Sequence, residues 1–145
     1  MSQPPTLRYW LVKSEPEAFS WDQQVARGVK PWTGVRSHEA KNNLLAMRRG
    51  DQAFFYHSNT GREIVGVVEV AREAYPDPTA DMAAGPWVCV DMRAVAPFAR
   101  PVGLAELKRL PEFSELGLIR RSRLSVVPVS DHHWMRIRQV GGLET

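Results

Sequence analysis

Tyr9-Trp10-Leu11-Val12-Lys13-Ser14-Glu15-Pro16 is an apolar run that stops abruptly in a lysine, a hydroxyl and a carboxylate. Its aromatic and aliphatic residues predict a strand over Leu7 to Lys13. Pro16 then stands where the first turn of a following helix tolerates it. The same ending, apolar residues giving way to polar ones, recurs at Trp32-Thr33-Gly34-Val35-Arg36, at Tyr56-His57-Ser58-Asn59 and at Ser122-Arg123-Leu124-Ser125. Flat apolar faces beside hydrogen-bonding groups are what a flat, polar-edged ligand such as a nucleobase requires.

Outward from that strand, the pattern predicts a short helix over Ser20 to Arg27, stopped by Gly28. Val29 to Val35, with Pro31 and Gly34, reads as a loop or a bent edge segment and not as a central strand. Ser37 is placed to cap a helix from His38 to Arg49, with Ala40, Leu44 and Met47 on one face and Gly50 as the stop. Asp51 to His57 and Glu63 to Tyr75 read as two strands of a hairpin around the turn Ser58-Asn59-Thr60-Gly61-Arg62. Pro76-Asp77-Pro78 breaks the second strand, and 81–86 reads as a flexible connection. A further strand is expected over Trp87 to Pro97, and a short helix through Leu104, Leu107 and Leu110 ends at Pro111. A helical turn over Glu112 to Leu116, a strand over Leu124 to Val129 and a terminal helix capped by Ser130 complete the reading. Five or six mostly antiparallel strands with intervening helices predict an α+β fold closing as a curled sheet or small barrel.

The 145 residues amount to one domain, with residues 1–7 as a short lead and 140–145 as a short tail. A composition of 43% hydrophobic and 24% charged residues is that of a folded globular chain. No apolar stretch approaches the roughly 20 residues needed to span a bilayer. Met1 to Thr6 shows no basic segment followed by an apolar core, and Cys89 is the single cysteine. A cytoplasmic protein without a membrane partner is therefore expected, and a monomer is the default expectation where the sequence itself leaves the oligomeric state open. The net charge of +3 is modest. The compact groups Arg48-Arg49, Arg120-Arg121 with Arg123, and Arg136 with Arg138 are candidate phosphate contacts, against the plainer reading that they solvate exposed faces.

Other chemistries find little support. His132 and His133 diverge by about 100° on a helix, His38 and His57 are far apart in the chain, and no pattern of metal ligands is present. No metal or cofactor is expected. There is no nucleophile elbow or phosphate-cradling glycine motif. Cys89, inside Trp87-Val88-Cys89-Val90, reads as a buried structural thiol. Trp10 reads as core, and Trp21 as either core or pocket wall. Trp32, in an irregular segment between Pro31 and Gly34, has no periodicity to explain it as core. Arg36 suits a phosphate or base edge, or else an ion pair with Glu39 or Asp51.

Taken with Phe19-Ser20-Trp21, Ala40-Lys41-Asn42-Asn43-Leu44, Gly50-Asp51, Phe55-Tyr56, Val65-Gly66-Val67, Ala74 to Thr79, Leu104 to Lys108, Ser122 to Val129 and Trp134, these stretches resemble the EVE domain family in order from about residue 9 to residue 138. The resemblance implies a PUA-like fold and a non-catalytic module that binds modified bases in nucleic acid. Methylated or hydroxymethylated cytosine in DNA and modified RNA bases are the candidate ligands. It implies Trp21 and Trp32 as pocket walls, and Lys13 and Ser14 on a phosphate or base edge. Arg36 and Asn42 would line the entrance, with His57, Ser58, Asn59, Arg123, Leu124 and Ser125 on the opposing side. The family commonly continues Gly-Val-Arg with Asn and an aromatic. This chain has Ser37 and His38, so an imidazole that can stack or donate replaces a larger ring. The rival reading is a hydrolase like the ASCH relatives, acting on RNA or a nucleoside-like amide through Lys13, Glu15 and His57.

Overall fold

The computed structural model describes residues 7–81 and 85–143. Residues 1–6 of the expected lead, 144–145 of the expected tail and the middle of the 81–86 connection lie outside the described residues. Among the described residues six strands form one mixed sheet: β1 (Tyr9–Ser14), β2 (Val29–Pro31), β3 (Gln52–His57), β4 (Glu63–Pro76), β5 (Val88–Gly103) and β6 (Val126–Val129). Their order across the sheet is β2-β5-β4-β3-β1-β6, open at its two ends. The helices are α1 (Trp21–Arg27), α2 (His38–Ala46), α3 (Leu104–Lys108), α4 (Gly117–Arg120) and α5 (Asp131–Val140), with a 3-10 turn at Pro111–Phe113. None of the described helices is long and apolar enough to cross a membrane. The α+β fold, with helices around a mixed sheet, is the class the sequence predicts.

The strand interior explains why the apolar runs are continuous. β1 lies between β3 and β6, and β3 between β1 and β4, so both are covered on each side. Side chains alternate faces along a strand. Phe54 therefore faces one layer, stacking on Trp134 at 4.0 Å and meeting Phe98 edge-on at 5.6 Å. Its neighbour Phe55 faces the other layer, where Trp21 and Trp32 approach it edge-on at 5.4 and 5.5 Å. Both phenylalanines are fully buried.

Local signals set most boundaries. Ser20 caps α1 in a reciprocal capping box with Gln23, and Gly28, at φ 80°, ends it. Ser37 caps α2 through the Ala40 amide and Ser130 caps α5 through His133. The hairpin turn uses left-handed Asn59, Gly61 and Arg62 at φ 71°, 89° and 51°.

Several boundaries move. α2 ends at Ala46 instead of Arg49, because the buried Asp51 carboxylate takes the Arg48 amide at 3.0 Å and bends the chain into a turn. β5 continues past Pro97 to Gly103. Beyond Arg93 its outer flank is no longer paired with β2, the setting in which a strand tolerates proline. The turn expected at Glu112 to Leu116 is instead the 3-10 turn followed by α4, and β6 begins at Val126, not Leu124. β1 and β3 pair in parallel, Tyr9 opposite Gln52 through Ser14 opposite His57. The remaining strand pairs are antiparallel.

Candidate functional site

Parallel pairing gives β1 and β3 a common C-terminal edge, so the polar endings of two distant segments meet. Ser14 lies opposite His57, and the Ser58 amide donates to the Ser14 carbonyl at 3.0 Å. The Ser14 hydroxyl donates to the Phe19 carbonyl at 2.6 Å, folding Glu15–Phe19 back over the strand end. A cleft of about 340 Å³ opens there, lined by Lys13-Ser14-Glu15, Ala18-Phe19, Lys30 and Trp32-Thr33. That volume is at the small end of ligand pockets, which run ~300–1,000 Å³.

Two aromatic rings and two ammonium groups characterise the cleft. Trp32 is only 6% exposed, held by its edge contact with Phe55 and by its amide, which donates to the Val90 carbonyl at 2.6 Å. The Lys30 ammonium stands 4.4 Å from the Phe19 ring centre and 5.8 Å from that of Trp32. Burial lowers the Lys30 pKa, with Arg27 adding to the effect. Lys13 donates through Nζ to the Ser122 carbonyl at 2.9 Å, and its pKa is likewise lowered by burial.

The loop that carries Trp32 is anchored from behind by Asp77. Its carboxylate accepts the Gly34 amide at 2.9 Å, the Arg36 guanidinium at 3.0 Å and the Thr79 amide at 2.7 Å. Burial pushes this acid up, but hydrogen bonds from the Thr79 hydroxyl, Gly34, the Thr79 amide and Arg36 outweigh it and hold the pKa at about 2. Arg36 is thus paired with Asp77, in place of the Glu39 or Asp51 expected, and also reaches the Thr79 hydroxyl at 3.3 Å.

Ser58 and Asn59 lie across Lys13 in a second cleft of about 270 Å³, which Lys13 also lines. His57 is turned inward: its Nε2 accepts the Trp21 amide at 3.0 Å, and burial lowers its pKa. Trp21 lies over Gly66, where an added Cβ would come within 2.5 Å of the ring, so it packs as core and does not line the first cleft. Asn42 is exposed on α2, and it is Asn43 that reaches across, to the Val126 carbonyl at 2.7 Å. Leu124 is buried, Arg123 is exposed, and Ser125 offers its carbonyl to the Lys13 amide at 3.1 Å. His38 stacks on Trp87 at 5.0 Å, away from the residues lining the first cleft. Ser37 is the helix cap, as its position suggested.

Two of the basic groups singled out in the sequence are largely neutralised. Arg120 pairs with Glu115, Arg121 with Glu39 and Arg136 with Glu112. The residues sequence reasoning missed are Phe19 and Lys30 in the first cleft, and Arg62 and Lys108 in the second. Phe19 was visible as an aromatic just before the expected helix, in Phe19-Ser20-Trp21. The other three carry no local signal, because they reach the clefts only through tertiary packing. Cys89 is fully buried, and among the described residues no three His, Cys, Asp or Glu side chains are grouped to hold a metal ion.

The chain matches the EVE domain family model over residues 8–140. It is 34% identical to mouse thymocyte nuclear protein 1 across 87% of this chain and 70% of that protein. Among solved structures, Rpa0253 from Rhodopseudomonas palustris superposes with a TM-score of 0.89 at 53% identity, covering 96% of each chain. Human THYN1 protein, in complex with DNA containing 5-methylcytosine, superposes with a TM-score of 0.85 at 30% identity, covering 95% of this chain and 99% of that one. A match that runs through all six strands and both clefts, from the opening strand to α5, leaves one assignment: this chain belongs to the EVE domain family, with its PUA-like fold.

Proposed function

We propose that this protein is a non-catalytic binding module for a modified base in nucleic acid, with the Phe19–Trp32 cleft as the base pocket. The observation that carries the reading is a base-sized cleft with aromatic walls and cationic neighbours, in a chain resembling a human protein crystallised with 5-methylcytosine DNA. A flipped or single-stranded base entering the cleft would replace the Lys30 ammonium on the aromatic rings. Such stacking is worth about 1–3 kcal/mol per base. The displaced ammonium and the Lys13 ammonium are cations of the kind that meet a base carbonyl or phosphate. A buried methyl adds only about 0.8 kcal/mol, about fourfold in affinity, so discrimination by methyl burial alone is modest. Binding is favoured over turnover because two of the three acid–base candidates are engaged: Lys13 holds the Ser122 carbonyl and His57 receives the Trp21 amide.

The test measures affinity for oligonucleotides carrying cytosine, 5-methylcytosine or 5-hydroxymethylcytosine, as DNA and as RNA. Trp32→Ala would remove a core contact with Phe55 as well as a pocket wall, so the half-buried Phe19 provides the cleaner variant. Phe19→Leu is expected to weaken binding of the preferred modified oligonucleotide about tenfold while leaving the thermal midpoint within a few degrees. Equal affinity for every base, or no effect of Phe19→Leu, overturns the pocket assignment.

A further inference from the structure

The second cleft has a composition the base-binding reading does not use. Lys13, Arg62 and Lys108 converge on it, with Ser58, Asn59 and Ser122 between them, and no carboxylate lines it. Among the described residues none of these three cations is in an ion pair. The nearby acids are otherwise placed: Glu106 is held by Arg100, Glu17 accepts from Thr60, and Glu63 lies beside Gly61 outside the lining.

The fold builds this arrangement deliberately in space, from three unrelated stretches. The β4–β5 ladder begins with Glu63 opposite Gly103, which sets the hairpin turn against the start of α3. The Leu104 amide then donates to the Arg62 carbonyl at 2.9 Å, fixing Arg62 in its left-handed conformation at φ 51°. Left-handed backbone is uncommon for a residue other than glycine, asparagine or aspartate. Arg62 and Lys108 flank the cleft together as a result, and Lys13 forms the wall shared with the base pocket.

We propose that the second cleft holds a phosphodiester of the bound strand, adjoining the base in the first, with Lys13, Arg62 and Lys108 as its cations and the Ser58 hydroxyl and Asn59 amide as neutral donors. The assignment rests on the base-pocket reading for the identity of the strand, and only for that. A site lined by cations and hydroxyls without acids selects an anion, and a polyanionic strand is the anion that can reach two adjoining clefts at once. Lys13, part-buried and shared, couples the two. Displacing counterions from one such phosphate contributes a salt-dependence slope of about 0.7 for a single strand and about 0.9 for a duplex.

The experiment measures oligonucleotide affinity across a salt series for the wild type, Arg62→Asn, Lys108→Gln and Arg72→Gln. Asparagine tolerates the left-handed backbone at position 62, and Arg72 is an exposed cation on β4 that lines neither cleft. Arg62→Asn and Lys108→Gln are expected to weaken binding severalfold at low salt and to flatten the log–log salt slope by about one. The ratio of modified to unmodified affinity should stay unchanged, and Arg72→Gln should change neither affinity nor slope. Wild-type slope and affinity in the Arg62→Asn, Lys108→Gln double variant overturn the proposal, as does an equal loss in Arg72→Gln. A wild type that binds oligonucleotides without regard to modification, but whose slope flattens in Arg62→Asn, refutes the base pocket and supports the phosphate cleft. A wild type that binds no oligonucleotide at all overturns both.

Discussion

At the scale of single residues, two buried acids anchor the backbone, one at the start of β1 and one behind the Trp32 loop. Asp51 accepts the Arg8 amide at 3.1 Å, the Trp10 indole at 3.1 Å and the Arg48 amide at 3.0 Å, and is only 2% exposed. Asp51→Ala leaves three donors without their acceptor and should cost about 3–5 kcal/mol in denaturant unfolding. A loss under 1 kcal/mol would show that water replaces the carboxylate. Asp77 plays the matching part for the Trp32 loop. Its carboxyl pKa falls from 3.8 unfolded to about 2 folded, so the ionised form is favoured by folding. The stability it contributes is present above about pH 4 and is lost as pH falls towards 2. Acid titration of Asp77→Asn should lack that step; an identical titration would place the acid-sensitive group elsewhere. Neither acid was singled out as an anchor from the sequence, because its partners are brought to it only by folding.

At the scale of elements, the face each strand residue presents is legible in the sequence, but what meets it is not. Phe54 and Phe55 must point to opposite layers by the period of a strand. That Trp134 receives one while Trp21 and Trp32 receive the other depends on where α5, α1 and the loop after β2 pack. Gly66 in β4 shows the closeness of that packing. Its Cβ position falls 2.5 Å from the Trp21 ring, in a stretch where the β4–β5 register shifts. Gly66→Ala should therefore destabilise the protein by about 1–3 kcal/mol by forcing Trp21 off its seat. Broadened or shifted Trp21 and His57 resonances should accompany the loss. An unchanged melting midpoint would mean that the ring has room to move. The helix caps at Ser37 and Ser130 were readable because a cap is decided within four residues, whereas Ser20, expected inside α1, is its cap. The end of α2 was not, because Asp51 decides it from outside the helix.

At the scale of the whole molecule, parallel pairing of β1 and β3 places Lys13-Ser14 and His57-Ser58 at one edge, with the crossover through α1, β2 and α2 making room for both clefts. His57 gives this edge a proton-linked response. Its pKa lies below 6.5 because burial disfavours the imidazolium, and its neutral Nε2 receives the Trp21 amide. A base whose folded pKa is lowered contributes stability at high pH and loses it as pH falls through the unfolded value. Stability should therefore decline as pH drops below about 6.5, before the Asp77 step. Titration of the His57 ring by NMR checks this directly, and a midpoint at or above 6.5 would contradict it.

What the sequence determined by itself was most of the elements, the α+β class, the buried character of Trp10 and Cys89 and the family to which the chain belongs. Those follow from periodicity, capping and ordered motifs, all of which act between near neighbours or along the chain in register. Only the tertiary structure decided that Arg36 joins Asp77 across 41 positions and Arg121 joins Glu39 across 82. It likewise turned His57 inward, left Asn42 in solvent and gathered Phe19 with Lys30, and Arg62 with Lys108. A charge or a ring carries no mark of its partner in the local sequence. Its role is set by which strand ends meet, and here the parallel pairing of β1 with β3 makes that choice.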